Sequence, residues 1–151
     1  MPQTSSTNML DQLLYNTQIT PWNPTRIGTI EDDNGIYTGE IMPSLMEHGH
    51  GVKKYINGDV HEGMWVYGSP WGQGILIRSN GDKIEGLFYG TDIIDATVNY
   101  ANGDVYTGRL CLVQPHGNGV RKLHNGGEIK AYFQNGHVVG TAEFLNHRHE
   151  Q

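Results

Sequence analysis

The chain is short of several things that common folds and functions require. Only 36% of its 151 residues are hydrophobic, little for the thick enclosed core of a two-layer domain, although the length suits one domain. Cysteine occurs once, as Cys111. No intramolecular disulfide can form, which fits a reducing compartment, and the thiol reads as a packed strand residue. Basic residues are few: 10 Lys and Arg face 16 Asp and Glu, for a formal net charge of -6. Nucleic-acid modules need clustered cations for phosphate contacts, so that class is excluded. The same acidity weighs, less strongly, against an anionic membrane surface. Lys53-Lys54 and Arg121-Lys122 are the adjacent basic pairs, and both read as solvated strand faces. No apolar run is long enough to span a bilayer. The first residues offer neither a secretory signal nor the early arginines of a mitochondrial transit peptide, so the expected location is intracellular.

What is abundant is glycine, and it is ordered. Of 21 glycines, 20 fall between Gly35 and Gly140. Asn-Gly occurs at 34-35, 57-58, 80-81, 102-103 and 125-126, with glycine spacings of 23, 23, 22 and 23 residues. Two further copies, Asn118-Gly119 and Asn135-Gly136, stand outside that series. Asn-Gly is the strongest short hairpin signal, and it predicts type I′ turns with both central residues at positive φ. Asp59, Asp82 and Asp104 follow three of the turns and add turn chemistry. Residues 60–66, 83–88 and 105–112 read as strands, and 74–78 and 119–123 as their returns. About two strands per repeat predict a continuous antiparallel meander. A helix is excluded there, because glycine costs about 1 kcal/mol at each interior helical position. The predicted fold class is therefore all-β: a single elongated, twisted antiparallel sheet of consecutive hairpins.

Within the repeats, large rings sit beside glycines. His61, Gly63 and Trp65 share one strand face, as do Tyr106, Gly108 and Leu110, since residues two apart point the same way. A ring next to a bare glycine can cover it. The full pattern Y-x-G-x-W-x-x-G-x-x-H-G-x-G resembles the MORN repeat (membrane occupation and recognition nexus). The second copy is similar at Gly63, Trp65, Gly68, Gly72 and Gly74, with His61 for the Tyr and Trp71 for the His. The fourth is similar at Tyr106, Gly108, His116, Gly117 and Gly119, with Leu110 for the Trp. The first, from Tyr37-x-Gly39 to His48-Gly49-x-Gly51, carries one extra residue in its hairpin. The third keeps Gly86 and Phe88 but shows Ile94-Asp95-Ala96-Thr97 in place of His-Gly-x-Gly. The fifth has Ile129, Ala131 and Phe133, then Gly136 and Val139-Gly140. The organisation expected is an N-terminal segment at 1–33, about five repeats at 34–145 and a tail at 146–151.

The N-terminal segment differs in character. Ser5, Ser6, Thr7 and Asn8 offer N-caps, and Met9, Leu10, Leu13 and Leu14 recur at helical spacing. A short helix at 8–16 is predicted, stopped by the Pro21-Trp22-Asn23-Pro24 linker. It either caps the first repeat or docks a partner.

Signatures of catalysis are missing. There is no phosphate-loop motif and no H-E-x-x-H pair. The Gly-x-Gly pairs lack the third glycine and following helix of a dinucleotide loop. His48-x-His50 and His147-x-His149 invite a metal, but a zinc site wants four nitrogen or sulfur ligands and no such set is evident. His48 and His116 fit the repeat's own turn position, and Asp32-Asp33 reads as a charged turn. No cofactor is expected, and the chain is read as a non-enzyme. Tyr37, His61, Trp65, Trp71, Phe88 and Tyr106 are the candidate partner contacts, joined by the N-terminal Met9, Leu10, Leu13 and Leu14. The resemblance implies an interaction or scaffold subunit of a larger assembly, of the ciliary radial-spoke, cytoskeletal or membrane-junction kind. It would bind a helix or extended segment on its aromatic face. Anionic-lipid adaptor and regulatory subunit of an enzyme complex are the alternatives. Unpaired sheet edges also invite self-association.

Overall fold

A computed structural model describes residues 26–146. The predicted helix at 8–16, the linker prolines, His147 and His149 lie outside the described residues. Eleven strands follow one another with no helix among them: β1 (Arg26–Asp32), β2 (Gly35–Ile41), β3 (Glu47–Tyr55), β4 (Val60–Val66), β5 (Ser69–Ile77), β6 (Lys83–Tyr89), β7 (Asp92–Asn99), β8 (Val105–Cys111), β9 (Gln114–Lys122), β10 (Gly127–Gln134) and β11 (His137–Asn146). They form one open antiparallel sheet in sequence order. Each strand packs chiefly on its immediate neighbours in sequence. The all-β meander is thus as expected. The sheet starts ahead of the Asn34-Gly35 turn, because β1 pairs with β2 from Arg26↔Ile41 to Asp32↔Gly35. Gly28 stands opposite Gly39, and Ile30 packs on the adjoining core. The sequence puts these residues in the N-terminal segment 1–33, because one short strand between prolines and a turn shows too little alternation.

The turns differ from the prediction in an instructive way. Asn57, Asn80, Asn102 and Asn125 do not take positive φ, and the glycines after them do, at 97° to 101°. Tyr55 N–H donates to Asp59 O at 2.8 Å and Gly58 N–H to Tyr55 O at 3.0 Å. That pattern is a type I turn closed by a left-handed glycine, a three-residue loop. The asparagine Oδ1 explains the choice: it accepts from the N–H two residues on, at 2.9 Å for Asp59, Asp82 and Asp104. Type I′ geometry appears at the alternate connections, in Tyr67-Gly68, Leu112-Val113 and Asn135-Gly136. One Asn-Gly outside the 23-residue series is therefore the one that forms the expected turn.

A row of small residues crosses the sheet. Gly39 pairs with Gly51, Gly51 with Gly63, Gly63 with Gly74, and Gly74 with Gly86. The row continues as Ala96, Gly108, Gly119 and Ala131. Two rows of large residues flank it on one face. The first comprises Tyr37, His61, Ile84, Tyr106 and Ile129; the second comprises Ile41, Trp65, Phe88, Leu110 and Phe133. All of these are buried except Ile129, which is half-buried. A sheet of one layer makes its core by laying side chains on its own backbone.

Candidate binding surfaces

The glycine row is what lets the rings lie down. A Cβ built on Gly51 would clash with Cζ, Oη and Cε2 of Tyr37, and one on Gly119 would lie 2.6 Å from Tyr106 Cζ. At Gly74 it would lie 2.9 Å from His61 Nε2. Each ring covers the glycine of the returning strand in its own hairpin. Tyr37 Oη then donates to Glu40 O at 2.6 Å, and Tyr106 Oη to Arg109 O at 2.9 Å. Trp65 Nε1 donates to Gly51 O at 3.1 Å. Edge-to-face contacts link neighbouring rings: Tyr37–Trp65 at 5.2 Å, His61–Trp65 at 5.3 Å, His61–Phe88 at 4.6 Å and Tyr106–Phe133 at 5.4 Å. Burial, followed by the Glu40 and Glu47 carboxylates, pushes the Tyr37 hydroxyl up to about 12. Burial does the same to Tyr106.

His61 breaks this scheme. It holds the tyrosine position of the second repeat but is too short for the third-residue carbonyl. Its Nε2 is buried without a hydrogen-bond partner. Burial pulls the imidazole down to about 4, so it is neutral at physiological pH. Beside it lies an apolar groove of about 340 Å³. The floor is His61, Phe88, Leu76 and Ile93; Tyr55 walls one side and the Leu112-Val113 turn the other.

Of the six described partner-contact candidates, the structure places five in this floor and core. Tyr37, His61, Trp65, Phe88 and Tyr106 are 0–5% exposed. They pack the sheet and offer almost no surface to a partner, because the glycine row lets them sink onto the backbone. Trp71 is different. It is 47% exposed, stands on the opposite face, and meets Tyr89 edge to face at 5.1 Å. Met9, Leu10, Leu13 and Leu14 lie outside the described residues. Reachable apolar positions that the sequence reading passed over are Leu76, Val113 and Leu112, the last 66% exposed. Leu112 and Val113 both stand at positive φ, 52° and 59°, and Val113 takes the place that Gly68 and Gly136 hold in the matching turns; that missing glycine is the signal the sequence offers.

Polar groups near the faces serve the scaffold. Asp59, Asp82 and Asp104 each accept the N–H of a residue in the next turn: Ser79 at 2.7 Å, Ala101 at 2.8 Å and His124 at 2.9 Å. This ladder ties the turns of one edge together. Burial pushes the Asp104 carboxyl up, but hydrogen bonds from His124 and Arg121 outweigh it and hold it at about 2. Arg121 also stacks 4.1 Å from the Tyr100 ring centroid. Buried Lys53 lies between Asp32 at 3.0 Å and Glu47 at 3.5 Å. His48 Nδ1 accepts from Tyr67 N–H at 3.2 Å, a turn role, whereas His116 Nδ1 is buried without a partner. Among the described residues no three His, Cys, Asp or Glu side chains converge on a point that could hold a metal ion.

The MORN repeat family model matches residues 46–60, 61–83 and 114–128. The chain is a MORN-repeat protein. Comparison with curated proteins finds no match. MORN repeats are commonly modules of protein or membrane interaction, and the family is generally non-catalytic. The third and fifth repeats fall outside the matched stretches, yet their hairpins pair in the same ladder. Both change two positions at once. Ile84 replaces the ring and Ala96 the glycine it would cover, and Ile129 and Ala142 repeat that exchange. The shape of the face is kept by a smaller side chain over a larger floor residue.

Proposed function

We propose that this MORN-repeat protein is a non-catalytic scaffold subunit of a cytoplasmic, ciliary or cytoskeletal assembly. It holds a helix or extended segment of another protein in the groove of its ring-bearing face. The observation that supports this most is the groove itself: apolar floor, two turn edges as walls, and a volume near 340 Å³. Grooves of that size and character suit a row of apolar side chains. The rings act beneath it as a rigid bed, and Leu76, Leu112 and Val113 make the contact. An acidic chain of net charge -6 favours a protein over an anionic bilayer.

The test is affinity capture from the native cell with the full chain and with Leu112→Arg. A partner recovered by the first and lost by the second, at equal thermal stability, supports the reading. Equal recovery by both overturns it. Sedimentation with phosphatidylserine vesicles at low salt runs in parallel, and binding there with no protein captured would favour the lipid adaptor.

A further inference from the structure

The face opposite the rings carries an apolar stripe that the groove does not use. Met64, Trp71 and Ile94 are 40–47% exposed. Leu87 stands opposite Ile94, and Trp71 opposite Tyr89, so all five side chains share that face. Met64 lies between Gly63 and Trp65, across from the bulged 71–73 stretch of β5 that carries Trp71. The stripe crosses β4 to β7, three strand spacings of about 4.8 Å, or about 14 Å in all. An α-helix laid across the strands repeats every 5.4 Å, so residues at i, i+3 or i+4, and i+7 would fall on successive strands.

Charge around the stripe has one dominant sign. Glu40, Glu62, Glu85 and Asp95 flank it on the same face. Arg109, the cation at its far end, is already held by Asp92 at 3.2 Å. His50 lies 3.9 Å from Glu62. Lys54 and Lys83 stand one row nearer the Asn-Gly turns, beside Val60 and Ile77. Carboxylates bordering an apolar stripe repel anionic lipid and attract a cationic partner.

We propose that this stripe is a second docking site, and that its occupant is an amphipathic helix of another protein with Lys or Arg flanking three apolar positions. Trp71 is its anchor, since half-exposed tryptophan in an apolar setting is the residue type most often dominant in binding. The site is independent of the groove, so the sheet would join two partners back to back.

Selection from a displayed library of helical peptides tests this, using the full chain, Trp71→Ala, Glu85→Lys and Leu112→Arg as separate baits. Peptides enriched by the wild-type chain and by Leu112→Arg, but depleted at least about tenfold by Trp71→Ala, should carry apolar residues at i, i+3/4 and i+7 with basic flanks. Glu85→Lys should weaken them by about fivefold. Selected peptides with acidic flanks, or enrichment indifferent to Trp71→Ala, would overturn the proposal. So would recovery of no Trp71-dependent peptide while the same chain sediments with phosphatidylserine vesicles. Peptides lost only with Leu112→Arg report on the groove, and a selection that yields those alone, with none dependent on Trp71, overturns this second site.

Discussion

If rings and glycines form a matched unit, then substituting one should be deleterious in a way that substituting the other relieves. Gly119→Ala in the fourth repeat is the sharpest case. Gly119 has no positive φ to protect, so the new methyl group is resisted by sterics alone. Its Cβ would lie 2.6 Å from Tyr106 Cζ. Tyr106 cannot swing aside: it is fully buried, bonded through Oη to Arg109 O, and edge-on to Phe133. Alanine in a strand is ordinarily favoured over glycine by roughly 0.5–1 kcal/mol. Overpacking of a fixed core costs about 1–3 kcal/mol or more, so the net change should be a loss of about 1–3 kcal/mol. Tyr106→Ile alone loses the ring, its hydrogen bond and the Phe133 contact, roughly 2–4 kcal/mol. The double variant recreates the Ile84/Ala96 pair of the third repeat and should be about 1–3 kcal/mol more stable than the sum of its parts. Urea unfolding of the four proteins measures this cycle. Gly117→Ala is the control, because its Cβ meets nothing within 4 Å while its φ is 99°; its cost should not depend on Tyr106. Additivity of the Gly119 and Tyr106 changes within about 0.5 kcal/mol would refute the account.

Other expectations follow from the same geometry. His61 is neutral in the fold, with its ordinary value of 6.5 lowered to about 4. Stability should therefore be complete above pH 6.5 and fall by roughly 3 kcal/mol as pH drops toward 4; melting curves of His61→Phe should be flat over that window, and a slope equal to wild type would contradict the assignment. Asp104 acts below that range, its stabilisation present above its ordinary 3.8 and lost as pH falls toward about 2, so Asp104→Asn should remove the acid slope only at the low end. Leu112→Asn relieves a bulky left-handed residue and should raise stability by about 1 kcal/mol while weakening capture of a groove partner; unchanged capture by a more stable protein would show that the groove is not used. Asp95→Gly, at φ 52°, should stabilise by about 0.5–1 kcal/mol, read as a rise in melting temperature.

Much of the architecture was legible because period and turn chemistry act locally. Five Asn-Gly turns at near-constant spacing, with rings two residues from glycines, leave little other than consecutive hairpins. Turn type was less legible, since it depends on what Asn57 Oδ1 bonds, and that partner is the Asp59 N–H fixed only once the loop closes. The accessibility of the rings was not legible at all. Alternation puts Tyr37, His61, Trp65, Phe88 and Tyr106 on one face, and the same pattern describes a docking surface or a core. Which one results depends on whether the residue beneath has a Cβ, and Gly51, Gly74 and Gly119 come under the rings through register, a long-range property. Trp71 stands where the repeat pattern has its histidine, but alternation with the core-facing Gly72 and Gly74 puts its side chain on the other face, and the two extra residues of β5 between Gly63 and Trp65 leave that parity unchanged.

The paired exchange in repeats three and five bears on what selection of sequence has to preserve in such a sheet. A single layer has no second sheet to fill voids, so each hairpin must complete its own packing from residues on adjacent strands. Tyrosine over glycine and isoleucine over alanine both do so, while either mixed pair leaves a hole or a clash. The same lack of a second layer leaves the opposite face uncovered along its length. Its apolar positions, Met64, Trp71 and Ile94, have no packing duty comparable to that of Trp65 or Phe88, whose truncation would open the core. That asymmetry separates fold from function in physical terms: substitutions on the ring side should change stability first, and substitutions at Trp71 should leave the unfolding curve nearly unmoved while changing what the sheet holds.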